Sequence, residues 1–198
     1  MSPALLLFAL AWVSWCLFHS LLISGPPARL LQSLLPRLHR VAYNLLAMVT
    51  LFPLLLWEYS ADSALLYRWP AHFWPLRWGL FILAVVLVVS AVRAFDMRSF
   101  LGIDAFILDQ EACEEDAVLC SDGVLAYLRH PWYAAGLILL WLRDQHLYSL
   151  VSTVLLSGYL VIGALIEEHR LLQRFGDSYV AYRRRVPMFF PRIPRYKR

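Results

Sequence analysis

Apolar runs of near-membrane length dominate this chain and leave little room for another architecture. A helix needs about 20 mostly apolar residues to cross a bilayer. Pro3 to Ile23 has that length, Val41 to Trp57 and Trp78 to Phe95 approach it, and Ser149 to Ile166 follows late in the chain. The first run has no Lys or Arg ahead of it and no small-residue cleavage site, which favours a span over a signal peptide. Ser24, Gly25, Pro26 and Pro27 end it, and Pro53 predicts a kink in the second. The fourth run, Pro131 to Leu142, holds only 12 residues before Arg143, Asp144, Gln145 and His146 turn the chain. At 1.5 Å per residue it reaches roughly 18 Å, against a hydrocarbon core of about 30 Å. Either this helix starts before Pro131 or its start lies below the headgroups. The second case sets His130 in a recess open to water from one face, where irregular backbone is tolerated at depth.

The expectation is an all-α fold: a polytopic membrane helix bundle of about five transmembrane helices, with a helical hairpin and a C-terminal cytoplasmic tail. Hydrophobic residues make up 61% of the 198, above the half usual in soluble domains. One domain over 1–198 suits the length, with a three-helix half (1–95) and a second half (96–198). All but one of the 18 Lys and Arg residues are arginine. With five spans, only Arg68, Arg77 and Arg143 fall outside, and the positive-inside rule puts the N-terminus outside and the C-terminus in the cytoplasm. An integral membrane location is expected. The basic tail suits anionic lipid headgroups, and no nucleic-acid module is present. The chain shows no internal repeat.

Cys16, Cys113 and Cys120 form no CxxC pair and read as reduced, structural thiols. The acidic loop Asp96 to Asp122 lacks alternating ligands and any histidine, so it reads as solvated rather than metal-binding. Short strands are expected there at Phe106–Leu108 and Val118–Leu119.

Arg129, His130 and Pro131 stand at the mouth of the fourth run, and Glu167 and Glu168 at the exit of the fifth. A tight hairpin brings these ends together as the edge of a polar pocket. Pro131 suits a first helical turn, and His130, Tyr133 and Gly136 then share a face. Glu167, Arg170 and Arg174 also share one, which fits an interfacial salt bridge or a carboxylate accepting hydrogen bonds from a ligand's ammonium or hydroxyl groups. Arg129 and His130 as snorkelling interfacial residues are the plain alternative. His19 is ionisable inside a span, hence a site candidate or a neutral histidine bonded within the bundle. Arg93 and Asp96 are expected to pair, Trp57, Trp69, Trp74 and Trp78 to form an interfacial belt, and Arg183, Arg184 and Arg185 to face lipid.

The stretch LCSDGVLAYLRHPWY, Leu119 to Tyr133, resembles a signature of the isoprenylcysteine carboxyl methyltransferase superfamily. EEHRLLQRFGDSYVAYRRRVPMFFP, Glu167 to Pro191, is similar to its C-terminal signature. FHSLLIS from Phe18, RVAYNLLA from Arg40 and AFDMRSFLG from Ala94 resemble the branch holding bacterial methanethiol S-methyltransferases and NnrU-type proteins. The resemblance covers most of the chain. It implies an S-adenosylmethionine-dependent integral membrane methyltransferase. His130, Pro131 and Tyr133 would line the cofactor site, the loop Ala117 to Cys120 (with Leu119) and Leu125 would form further walls, and Glu167 would hold the cofactor.

Two positions depart from the pattern. Val124 and Leu125 stand where the commonest motif has Pro-Tyr. Gly163 stands where prenylcysteine enzymes place an arginine for the substrate carboxylate, which disfavours that substrate. The expected reaction is methyl transfer to a small thiol or other hydrophobic acceptor, with Arg129 or Arg170 as candidates for stabilising a thiolate. A lipophilic acceptor would enter between the first three runs. Competing readings are methylation of a lipid amine or prenyl-type carboxylate, a nicotinamide-dependent membrane reductase, and a non-catalytic NnrU-like accessory protein. The acceptor and the oligomeric state are not readable from these residues.

Overall fold

A computed structural model describes residues 2–94 and 119–190. The expected strands at 106–108 and 118–119, the Arg93–Asp96 pair, the acidic loop to residue 118, Cys113 and the Ala117 wall lie wholly or partly outside the described residues. The described chain is almost entirely helical and falls into two compact units. One is built from residues 2–68 and 144–156, the other from 69–94, 119–143 and 157–190.

In the first unit, α1 (Pro3–Ser24) begins on Ser2, whose hydroxyl accepts from the Leu5 N–H at 3.3 Å, with proline in the first turn. It closes where the Gly25 N–H reaches the Leu21 carbonyl at 2.8 Å. A Cβ at Gly25 would lie 2.7 Å from that carbonyl oxygen, so only glycine fits. The prolines that end α1 also begin a helix. Pro26 and Pro27 open α2 (Pro26–Leu34), where the missing N–H costs nothing and φ is already helical. α3 (His39–Ser60) runs unbroken through Pro53. A short strand β1 (Leu65–Tyr67) pairs antiparallel with β2 (Gln145–His146). Phe8, Trp12 and Leu54 form the buried centre, with Trp15, Leu51, Tyr148 and Leu155 packed on it. Phe8 is the hub, edge-on to Trp57 at 5.5 Å and Tyr148 at 4.9 Å, the arrangement aromatic quadrupoles prefer.

The second unit holds α4 (Trp74–Ala94), a 3₁₀ turn (Gly123–Ala126) and α5 (Pro131–Leu142), with α4 packed on both. It continues through α6 from Ser157 and ends with α7 (Asp177–Arg185). α6 spans Leu147–Phe175, 29 residues, so it runs well past the apolar stretch that closes at Ile166. Its start is capped by Ser149, which accepts the His146 N–H at 2.7 Å. It stops at Gly176, whose φ of 52° is a conformation glycine adopts readily. Among the described residues four helices are long and apolar enough to cross a membrane, those containing Pro3–Ser24, His39–Ser60, Ala71–Ala94 and Leu147–Phe175. They mark an integral membrane protein. The fourth expected run is the 12-residue helix α5, with the boundaries read from sequence.

Candidate functional site

Glu168 organises the polar centre of the second unit. It is 4% exposed. One carboxylate oxygen sits 2.5 Å from an Arg129 terminal nitrogen and 3.3 Å from His130 Nε2, and the other sits 3.2 Å from Arg183 Nε. A buried carboxylate is tolerated when paired and hydrogen-bonded, and here it meets two guanidiniums. Arg129 does more than pair. Its second terminal nitrogen donates to the carbonyls of Arg183 at 3.0 Å and Val186 at 2.9 Å, satisfying the end of α7. The backbone N–H groups of Arg129 and His130 donate to the carbonyls of Pro187 and Met188 at 3.0 and 3.2 Å. The Arg-His-Pro stretch is thus tied to the last turn of α7 and the segment after it by four hydrogen bonds.

His130 precedes α5 as its N-cap, and Pro131 is buried in the first turn. The imidazole lies edge-on to Tyr133 at 5.4 Å and 6.1 Å from the Phe189 ring. Burial, opposed by both glutamates, lowers its pKa below 6.5, so the ring is neutral at neutral pH. A neutral ring 3.3 Å from a carboxylate must donate from Nε2, which leaves Nδ1 as an acceptor. That Nδ1 lies 3.8 Å from Glu167, beyond hydrogen-bond reach. Glu167 is 42% exposed at its side chain and takes a hydrogen bond from Tyr133. Two acceptors, His130 Nδ1 and the Glu167 carboxylate, therefore stand side by side.

The other expected residues are distributed around this centre. Leu119 packs on Tyr179, Tyr182 and Val186, while Cys120 is exposed. Leu125 is buried and its carbonyl accepts from the Tyr182 hydroxyl at 2.7 Å, which ties the 3₁₀ turn to α7. Arg170 is exposed. Trp69 donates to the Trp141 carbonyl at 3.3 Å, so this ring is pinned to α5 rather than simply lying in a belt. Arg183, expected to face lipid, turns back to Glu168 because one turn of α7 lies against the buried carboxylate. Sequence reasoning set Glu168 at the pocket edge beside Glu167 without marking it as the buried one, and left Tyr179 and Tyr182 without a role. The regular Tyr-x-x-Tyr spacing before the basic run was a usable signal, since it places both rings on one helical face.

Gly163, one turn before Glu167, makes room for Tyr133: a Cβ there would lie 3.3 Å from the ring edge. Gly163→Ala is expected to change stability by no more than about 1 kcal/mol, overpacking being offset by helix propensity. Gly163→Arg is expected to drive Tyr133 away from Glu167 and cost about 1–3 kcal/mol. Thermal unfolding in detergent checks both values.

No family model matches the chain, and no solved structure matches it. Curated relatives do. A methanethiol S-methyltransferase from a Pseudomonas species is 32% identical over 123 residues, 62% of this chain and 45% of that protein. The protein-S-isoprenylcysteine O-methyltransferase of Schizosaccharomyces pombe is 40% identical over 86 residues, 40% of this chain and 36% of that protein. Protein-S-isoprenylcysteine O-methyltransferase B of Arabidopsis thaliana is 30% identical over 142 residues, 68% of each chain. The chain thus spans less than half of the first two and two thirds of the third. Across that last match, and with both signature stretches folded onto one carboxylate, the chain belongs to the isoprenylcysteine carboxyl methyltransferase family.

Proposed function

We propose that this chain is an S-adenosylmethionine-dependent integral membrane methyltransferase acting on a small thiol or other hydrophobic acceptor. The observation that carries the reading is the acceptor pair at His130 and Glu167, 3.8 Å apart, beside a buried Glu168 that fixes both signature stretches. Two neighbouring acceptors suit an ammonium group or a pair of ribose hydroxyls. Polar atoms without a protein partner lie close by in the same unit: Arg129 Nε and the Tyr179 hydroxyl are buried and unbonded, and burial pushes the Tyr179 phenol up to about 12, so it stays protonated. The residues present fit the cofactor on these grounds. When bound, it supplies an electrophilic methyl on a sulfonium.

The chain's task is then to hold, orient and keep water out. Glu167 and His130 hold the donor groups, Tyr133 orients Glu167, and Pro131 and Leu125 supply apolar walls, with Leu119 and Cys120 at the margin. Arg129 is neutralised by Glu168, so the exposed Arg170 is the better source of positive potential for an acceptor thiolate. We read residues 1–198 as one functional domain with the cofactor half in 96–198. We read α5 as a partial crossing that makes a fifth membrane element, with the N-terminus outside and the C-terminus on the cytoplasmic side of a bacterial inner membrane.

An apolar cavity of about 550 Å³ adjoins this centre within the same unit, lined by Leu80, Leu83 and Leu87 of α4, Leu137 and Ile138 of α5, and Phe189. Phe189 touches both cavity and His130. This volume suits a ligand many times larger than a one-carbon thiol, so the hydrophobic acceptor is the favoured half of the reading. Leu83→Trp is expected to raise KM for a lipophilic acceptor at least tenfold while cofactor affinity is unchanged, as read by steady-state kinetics. The reading itself is tested with purified full-length protein, labelled S-adenosylmethionine and a panel of thiols, prenyl compounds and lipid amines. Saturable binding of this cofactor with label transfer supports it. Binding of NADPH instead would overturn it in favour of a reductase, and binding without transfer would favour an accessory role.

A further inference from the structure

The apolar cavity beside the polar centre has two fixed ends. At the end away from His130 it is lined by Trp69 and Trp141. The Trp69 N–H donates to the Trp141 carbonyl at 3.3 Å, and the Trp141 N–H donates to the Ser157 hydroxyl at 3.0 Å, so both residues are held. At the near end stand Leu128, Ala134 and Phe189. Leu128 and Ala134 are 3% and 4% exposed, so they belong to the packed core. Ala134 lies one turn after His130, and its N–H donates to the His130 carbonyl at 3.0 Å. Four residues of helix put the near end about 6 Å along α5 from the histidine, and the seven from Ala134 to Trp141 give the cavity a length of roughly 10 Å.

Phe189 is placed by backbone pairing rather than by a helix. The Arg129 N–H donates to the Pro187 carbonyl at 3.0 Å, and the His130 N–H to the Met188 carbonyl at 3.2 Å. These two bonds fix the chain immediately before Phe189. Its ring then sits 6.1 Å from the imidazole, tilted by 49°. The same residue lines the cavity, so it stands as a partition between apolar space and polar centre. Leu128 and Ala134 are packed too closely to yield without strain. The room beside Phe189 therefore decides what can reach from the cavity toward His130 and Glu167.

We infer that Phe189 is the specificity-determining residue for the acceptor. It admits a nucleophile carried on an unbranched terminal carbon and rejects isomers with bulk beside the reacting atom, while the apolar remainder lies along α5 toward Trp69 and Trp141. The inference rests on the methyl-transfer reading and names the acceptor class within it. Branching next to the nucleophile must push aside a ring whose backbone is tied down. A single methylene-sized misfit in an apolar pocket changes selectivity by roughly 10- to 200-fold.

The test uses full-length protein in neutral detergent, with and without S-adenosylmethionine. Binding of n-octanol and of its tertiary isomer is measured by calorimetric titration. These alcohols match the corresponding thiols in shape and need no turnover. A preference of at least tenfold for n-octanol in the wild type, relaxed to about threefold or less in Phe189→Ala and Phe189→Leu through a gain in the tertiary isomer, supports the inference. Equal wild-type binding of the two isomers overturns it. So does a preference kept in both variants, including the case where both isomers weaken together, which is what a merely structural role produces. Methyl transfer to n-octanethiol and its tertiary isomer is read in parallel as the ratio of kcat/KM values. A relaxed alcohol preference with no methyl transfer to either thiol would uphold the role of Phe189 and sink the methyl-transfer reading. Methyl transfer whose isomer ratio ignores Phe189→Ala would do the reverse.

Discussion

Glu168→Gln is expected to destabilise the protein by about 3–5 kcal/mol, the cost of removing one partner from a buried ion pair. Arg129 has a side chain only 9% exposed. Without the carboxylate its charge has no counter-ion, and its hydrogen bonds to Arg183 and Val186 must hold it alone. A lower thermal transition and earlier proteolysis after Arg185 are the expected readouts. Arg183→Ala is the informative contrast. Its side chain is 45% exposed, so water screens the pair and the loss is expected to be about 1 kcal/mol or less. A double cycle with Glu168→Gln and Arg129→Met separates the pair from its surroundings. Equal losses for Arg183→Ala and Glu168→Gln would mean that the buried carboxylate is not the organiser.

The second large effect concerns binding rather than stability. Glu167→Gln and His130→Ala are each expected to weaken S-adenosylmethionine binding by roughly 10- to 100-fold, since hydrogen bonds involving a charged group contribute about 1.5–3 kcal/mol. Glu167 is half-exposed and its loss leaves no buried charge unpaired, so its variant should unfold at the wild-type temperature. His130→Ala also removes a donor to Glu168, so a modest fall in its transition is expected. Calorimetric titration beside circular dichroism makes the separation. Wild-type affinity in both variants, with the helices intact, would place the cofactor elsewhere.

Much of the fold was legible because lipid solvent imposes a simple rule on long apolar runs. The run of α5 was readable from Pro131 to Leu142, where Arg143 and Asp144 stop it, but the sequence left open an earlier start, and the helix begins at Pro131. α2 was not, because Pro26 and Pro27 read as breakers, whereas proline at the first two positions begins a helix as readily as it ends one. The length of α6 was also missed. The run turns polar at Glu167, but Glu, Arg, Leu and Gln are all good helix formers, and nothing interrupts them before Gly176.

At the site, the convergence of Arg129, His130 and the two glutamates was readable from the hairpin. Which glutamate goes inside was not. Adjacent residues on a helix point about 100° apart, so the rotation of α6 against α5 and α7 decides that Glu168 is buried and Glu167 is left partly exposed. That rotation is set in part by close approach at Gly136, where a Cβ would lie 3.2 Å from Leu160. Arg183 was misread for the same reason, since a basic run says nothing about which of its members turns inward.

The shortness of α5 has a bearing on the surrounding bilayer. On the reading of α5 as a partial crossing, a helix of about 18 Å would require a hydrocarbon layer of about 30 Å to thin, dimple or admit polar groups beside it. Lipids next to this element then carry an elastic cost that grows with acyl length. On the same reading, bilayer thickness would become a control variable for the site at the start of α5, an expectation that activity assays in bilayers of graded acyl length check.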